Sequence, residues 1–139
     1  MTIYRAGERP SRAAPAAYFT GAVVQDEIIA TPAPARARLL RVTFPAEART
    51  AWHTHPFGQT LHVVAGLCLL QERGRPAEVL RPGDTAWIAP GVEHWHGAAP
   101  ATLMVHLAMQ EANEAGETAT WLEQVSAADY RAAADGAGL

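Results

Sequence analysis

Four of the six histidines of this chain fall into two tight pairs, His53/His55 and His94/His96. Residues two apart on a strand point to the same face, so His53 and His55 can offer two imidazoles to one point. Gln59 follows across the turn Pro56-Phe57-Gly58, and His94 comes after a second turn, Pro90-Gly91. Two histidines from one strand, a third from another and a side-chain oxygen make a half-shell with open positions, which is what a catalytic metal requires. The set His53, His55, Gln59 and His94 is neutral throughout. A divalent ion held there would keep its charge near +2 and favour an anionic oxygen as a further ligand. Mixed nitrogen and oxygen ligation suits one divalent metal drawn from Mn, Fe, Co, Ni and Zn.

The elements that position these residues read as short strands. From Gly21 to Glu111, β-like runs alternate with Gly- and Pro-containing turns, the pattern of an all-β sandwich or barrel. The strands expected are 37–44, 51–55, 60–71, 77–80, 85–88 and 102–110. In 102–110 one face carries Thr102, Met104, His106, Ala108 and Gln110, and the other is wholly apolar. The polar face has the stronger reason to meet a metal. His106 is thus the candidate base or acid, with an ordinary pKa near 6.5. By the same alternation Leu40, Val42 and Phe44 line a pocket, with Ala108 and Gln110 on the facing strand. Phe57, Leu61 and Trp87 are bulky candidates around it, and His96 either touches it or supports the metal shell. His62 has the opposite parity to Gln59 and points away. Arg49, Arg73, Arg75 and Arg81 lie beside turns and are expected to be solvated, Glu93 outside the site, and Cys68 buried as an inert thiol.

Residues 1–20, rich in Ala, Pro and Arg, read as an N-terminal arm. Residues 21–139 form a single domain, and Ser126-Ala-Ala-Asp129 starts a short C-terminal helix over about 126–134 with Tyr130 inward. The 139 residues carry 11 basic and 14 acidic side chains, a formal net charge of -3, and no basic cluster, which argues against a nucleic-acid partner. No apolar run reaches the roughly 18 residues of a membrane span. One cysteine among 139 residues excludes an intrachain disulfide and suits the cytoplasm.

The motifs resemble those of the cupin superfamily, in which a glycine, two histidines one residue apart, a glutamate and a glycine form the first signature. Here the positions are Glu47, His53, His55, Gln59 and Gly66, with Glu47 in place of the first glycine and Gln59 in place of the glutamate. The second signature is met by Gly83, Gly91 and His94, with Pro90 one place late and Ala98 where an asparagine is usual. From Tyr18-Phe-Thr-Gly21 to about Tyr130 the chain is similar to the small manganese-dependent cupin hydroxynitrile lyases of bacteria. That resemblance implies a single cupin barrel (a double-stranded β-helix or jelly roll) and manganese on His53, His55, His94 and Gln59. It also implies cleavage of a cyanohydrin to an aldehyde and cyanide, with the substrate oxygen on the metal and His106 as base. The alternatives are an iron-dependent cupin dioxygenase and a non-enzymatic cupin that binds a small ligand. Apolar residues on both faces of 102–110, and along 60–71, predict a homo-oligomer, a dimer or tetramer.

Overall fold

A computed structural model describes residues 1–139. The strands are β1 Ser11–Ala13, β2 Phe19–Thr20, β3 Val24–Ala30, β4 Ala37–Phe44, β5 Arg49–Thr50, β6 His53–Thr54 and β7 Gln59–Gly66. They continue as β8 Cys68–Glu72, β9 Glu78–Leu80, β10 Thr85–Ile88, β11 His94–Ala98, β12 Met104–Glu111 and β13 Thr120–Trp121, before helix α1 at Ala127–Gly136. Six strands form one sheet in the order β1-β3-β4-β12-β7-β10. The second sheet runs β13-β6-β11-β5-β2, with β8 also paired to β11 and β9 to β8. Every strand pairing is antiparallel. This is a two-sheet antiparallel barrel, and its only α-helix is the short C-terminal one. No helix is long and apolar enough to cross a membrane.

The alternation along β4 puts Val42 and Phe44 inside, where they pack with Val63 and Met104 of the same sheet. Phe19, Cys68 and Ala98 of the facing sheet complete that core. A second apolar cluster lies under α1, where Tyr130, Ala133 and Ala134 cover Trp52, Leu69 and Trp95. Ser126 caps the helix by accepting a hydrogen bond from the Asp129 N–H at 3.0 Å. The helix runs two residues past the expected 134. Its Tyr130 hydroxyl donates to the Ala98 carbonyl at 2.7 Å, which ties the helix to the end of β11.

Three sequence expectations need correction. The run 60–71 is not one strand but β7 and β8, which lie in different sheets. Gly66 makes the crossing: its φ is 72°, and a Cβ there would come 1.7 Å from the Leu103 carbonyl oxygen. Hydrophobicity continues through the break because both sheets are buried, so the apolar pattern hides it. The expected strand 51–55 shrinks to β6, His53–Thr54, and a separate short strand, β5, ends just before it at Thr50. Between them the Ala51 N–H donates to Tyr18 and the Trp52 N–H to Glu123. Finally, Arg49 is not solvated but buried. Its guanidinium donates twice to the Val125 carbonyl and once to that of Glu47, and it lies over the Tyr130 ring. Arg73 is exposed and pairs with Glu93 and Glu123.

The strand β3 escaped the alternation rule because its register with β4 slips between Glu27 and Ile29, so a bulge interrupts the period of two. Residues 11–20 lie along both sheets. Strand β1 pairs with β3 and β2 with β5, while Tyr18 stacks on Trp121 at 4.7 Å between ring centroids.

Candidate metal centre

The pairing of β6 with β11 sets His53 directly opposite His94. Their ring centroids are 4.2 Å apart, and His55, one residue beyond the end of β6, brings its ring within 5.0 Å of His53 and 5.5 Å of His94. Each of the three rings is anchored through Nδ1 to a main-chain carbonyl: His53 to Ala51 at 2.9 Å, His94 to Val92 at 2.9 Å and His55 to Thr118 at 2.6 Å. A carbonyl only accepts, so each Nδ1 carries the proton and each Nε2 is left with a free lone pair. That second hydrogen bond is how metal-binding histidines are oriented.

Gln59, at the start of β7, completes the group. Its Oε1 lies 3.1 Å from His94 Nε2. With the His94 proton on Nδ1, two acceptors face one another at that distance, and a shared cation resolves the conflict. The Nε2 of His55 is buried and has no hydrogen-bond partner. The donor set therefore fits a divalent metal: neutral imidazole nitrogens and an amide oxygen, all buried. His96 adds to it. Ring nitrogens of His53, His94 and His96 lie within 4.8 Å of one another.

Behind His96 stands His106. The His96 Nδ1 and His106 Nε2 are 3.1 Å apart, leaving His96 Nε2 and His106 Nδ1 buried without partners. Burial lowers the pKa of His106 to about 4, so its ordinary value near 6.5 does not hold here. Burial likewise lowers His94 to about 4, and it lowers His55. His53 and His96 fall well below 6.5, first through burial and then through neighbouring imidazoles. All five rings are thus neutral at neutral pH, the form that metal ligation needs.

A stability prediction follows from His94 and His106. Their folded values near 4 lie below the unfolded 6.5, so the unfolded chain binds more protons between these limits. Their contribution is fully present above pH 6.5 and is lost progressively as the pH falls toward 4. Metal-free protein should lose about 3 kcal/mol or more between pH 7 and pH 4. Denaturant titrations at the two pH values measure this, and equal midpoints would show that the imidazoles accept protons freely.

Four of these rings, all but His94, open onto a cavity of about 440 Å³. His53, His55, Gln59, His96 and His106 form one side, and Leu40, Val42, Phe44, Ala108, Phe19 and Trp121 form the apolar walls. Gln25, Glu27, Arg38, Gln110 and the loop Gly116–Ala119 make the rim. Of the expected pocket residues, Phe57, Leu61 and Trp87 do not line it. Leu61 is fully buried against Ile88 and Ala108. Trp87 pairs with Thr60 and projects from the outer face, and Phe57 is exposed at its turn. His62 also faces outward, with Nδ1 2.8 Å from the Thr85 hydroxyl.

Alternation traced two residues back from Leu40 would have reached Arg38. Phe19, Trp121 and the loop 116–119 gave no local signal, because they come from distant parts of the chain. That loop is braced by Asn113, whose Oδ1 accepts from the Glu117 N–H at 2.9 Å, and it carries the carbonyl that orients His55.

Comparison with known proteins gives a consistent picture. The profile of the cupin domain matches residues 40–107. An (R)-mandelonitrile lyase from Granulicella tundricola is 48% identical over 131 residues, covering 94% of this chain and 99% of that protein. The crystal structure of a cupin-like protein from Thermotoga maritima aligns with a TM-score of 0.83 and 38% identity, over 89% of this chain and 93% of that one. The polyketide cyclase RemF from Streptomyces resistomycificus aligns with a TM-score of 0.72 over 94% of this chain and 91% of that one. At 18% identity it shares the fold alone.

Proposed function

Because the chain belongs to the cupin family, we propose that it is a metal-dependent lyase that cleaves, and in reverse forms, the carbon–carbon bond of a cyanohydrin. The observation that carries this reading is the neutral donor set inside a chain that is 48% identical, nearly end to end, to an (R)-mandelonitrile lyase. His53, His55, His94 and Gln59 would hold the metal, with manganese the first candidate and iron, zinc, nickel or cobalt the others. Once bound, the metal supplies Lewis acidity that favours the ionised form of a substrate hydroxyl.

The protein's own residues do the rest. His96 lines the cavity and shares its Nδ1 with His106 Nε2, so the pair can receive a proton at one ring and steady it at the other. The substrate hydroxyl gives its proton to this pair. The C–C bond breaks, the electron pair leaves with cyanide, and the C–O bond becomes a carbonyl. The proton then returns to cyanide. Leu40, Val42, Phe44 and Ala108 hold the organic part of the substrate and exclude water.

Benzaldehyde release from racemic mandelonitrile tests the reaction, with Mn(II)-reconstituted and metal-stripped protein run in parallel. Release is expected only with metal. No release from protein confirmed to hold metal would reject the lyase reading, and Fe(II)-dependent oxygen uptake would then point to the dioxygenase.

Self-association is part of the same reading. On the outer face of the six-stranded sheet Trp87 lies opposite Thr60, Thr60 opposite Met109, and Met109 opposite Leu39. With Leu103 and Val64 also exposed, this face offers an apolar surface suited to a second copy of the chain. Light scattering at micromolar concentration should give at least a dimer, and a monodisperse monomer would refute it.

A further inference from the structure

The rim of the cavity carries a cation that the proposed chemistry leaves unused. In the six-stranded sheet Gln59 lies opposite Gln110, and Gln110 lies opposite Arg38, so three inward-facing side chains run in one row from the metal centre to the cavity mouth. Gln59 Nε2 donates to Gln110 Oε1 at 3.2 Å, which leaves the Gln110 amide N–H groups to the cavity. Arg38 is half-buried, yet of its five N–H donors it uses one, in a 3.3 Å hydrogen bond to the adjacent Ala37 carbonyl. The three ion pairs of the protein all use Arg73 or Arg75, and no carboxylate lies within 4.0 Å of Arg38. Of the acids on the same rim, Glu27 is exposed and Glu117 is hydrogen-bonded to Asn113 at 3.1 Å.

We infer that Arg38, with the Gln110 amide beside it, binds a carboxylate at the far end of the substrate. A guanidinium fork in a concave, partly desolvated rim recognises a planar carboxylate through two parallel hydrogen bonds. Strands are about 4.8 Å apart, so the Arg38 backbone stands about 10 Å from that of Gln59. The carboxylate is therefore several bonds removed from the reacting carbon. The natural substrate class is an oxo acid, or its cyanohydrin, with the acid distal to the carbonyl. The inference rests on the cavity being the substrate site.

Isothermal titration of the metal-loaded protein with 4-formylbenzoate and with its methyl ester tests this. Wild type should bind the acid about tenfold or more tightly than the ester, equivalent to about 1.4 kcal/mol. Arg38→Gln should bring the ratio within about twofold by weakening the acid alone, and Arg38→Lys should retain part of the preference. Unchanged thermal unfolding identifies the variants as folded. Equal binding of acid and ester by wild type would overturn the proposal. So would a preference that persists in Arg38→Gln, since the carboxylate would then sit on the metal. Mandelonitrile cleavage by wild type is followed separately: its failure withdraws the lyase reaction and leaves the acid-to-ester ratio to judge Arg38.

Discussion

Replacing His94 with alanine should cost the protein its divalent metal and, with it, all metal-dependent turnover. His94 is fixed from three directions: its strand position opposite His53, its Nδ1 bond to the Val92 carbonyl, and its Nε2 contact with Gln59 Oε1 at 3.1 Å. Loss of an outer hydrogen bond to a metal ligand costs about 10- to 100-fold in affinity, so loss of the ligand itself should exceed about 100-fold. Metal content after gel filtration, measured beside benzaldehyde release, checks the result. His62→Ala is the control, since His62 lies on the outer face and bonds to Thr85. Stoichiometric metal and full turnover in His94→Ala would remove it from the ligand set.

The second large effect is expected at His106. It is fully buried, touches His96 through Nε2, and lines the cavity without being one of the proposed ligands. His106→Gln should therefore keep the metal and lower kcat by about 10²- to 10⁴-fold, the range for a missing general acid or base. The change should fall on kcat with KM little altered, because the apolar walls that hold the substrate are untouched. A merely structural histidine would instead reduce metal content or the unfolding temperature and leave kcat per bound metal unchanged. His96→Gln should match the kcat loss, and the double variant should lose little more, because the two rings act as one unit.

The candidate ligand set was legible in the sequence because its signal is local. His53, His55 and Gln59 fall within seven residues, and His94 follows a Pro-Gly turn. The barrel was legible for a similar reason: β4 and β10 begin and end where the expected strands 37–44 and 85–88 do, because turn residues mark their ends. Parity alone sent Val42, Phe44 and Ala108 inward and His62 outward.

What alternation missed shares one cause. Gly66 and the Ala51-Trp52 break are decided by what the backbone meets across the barrel, and the apolar pattern runs on through both. Arg49 reads as a turn-side charge, yet it is buried because the Val125 and Glu47 carbonyls converge on it from residues far and near in the chain.

The sequence by itself determined the fold class, the strand faces and the residue types available to a metal, because period-2 burial and turn chemistry act over a few residues. Only the tertiary structure decided the electrostatics of the site. The pKa of His106 is set by burial against residues brought in from other strands, and the rotation of His55 by a carbonyl 63 residues away at Thr118. It also joined Arg38, Gln110 and Gln59 into one row, since strand register is fixed by the packing of whole sheets and is not written in any one strand.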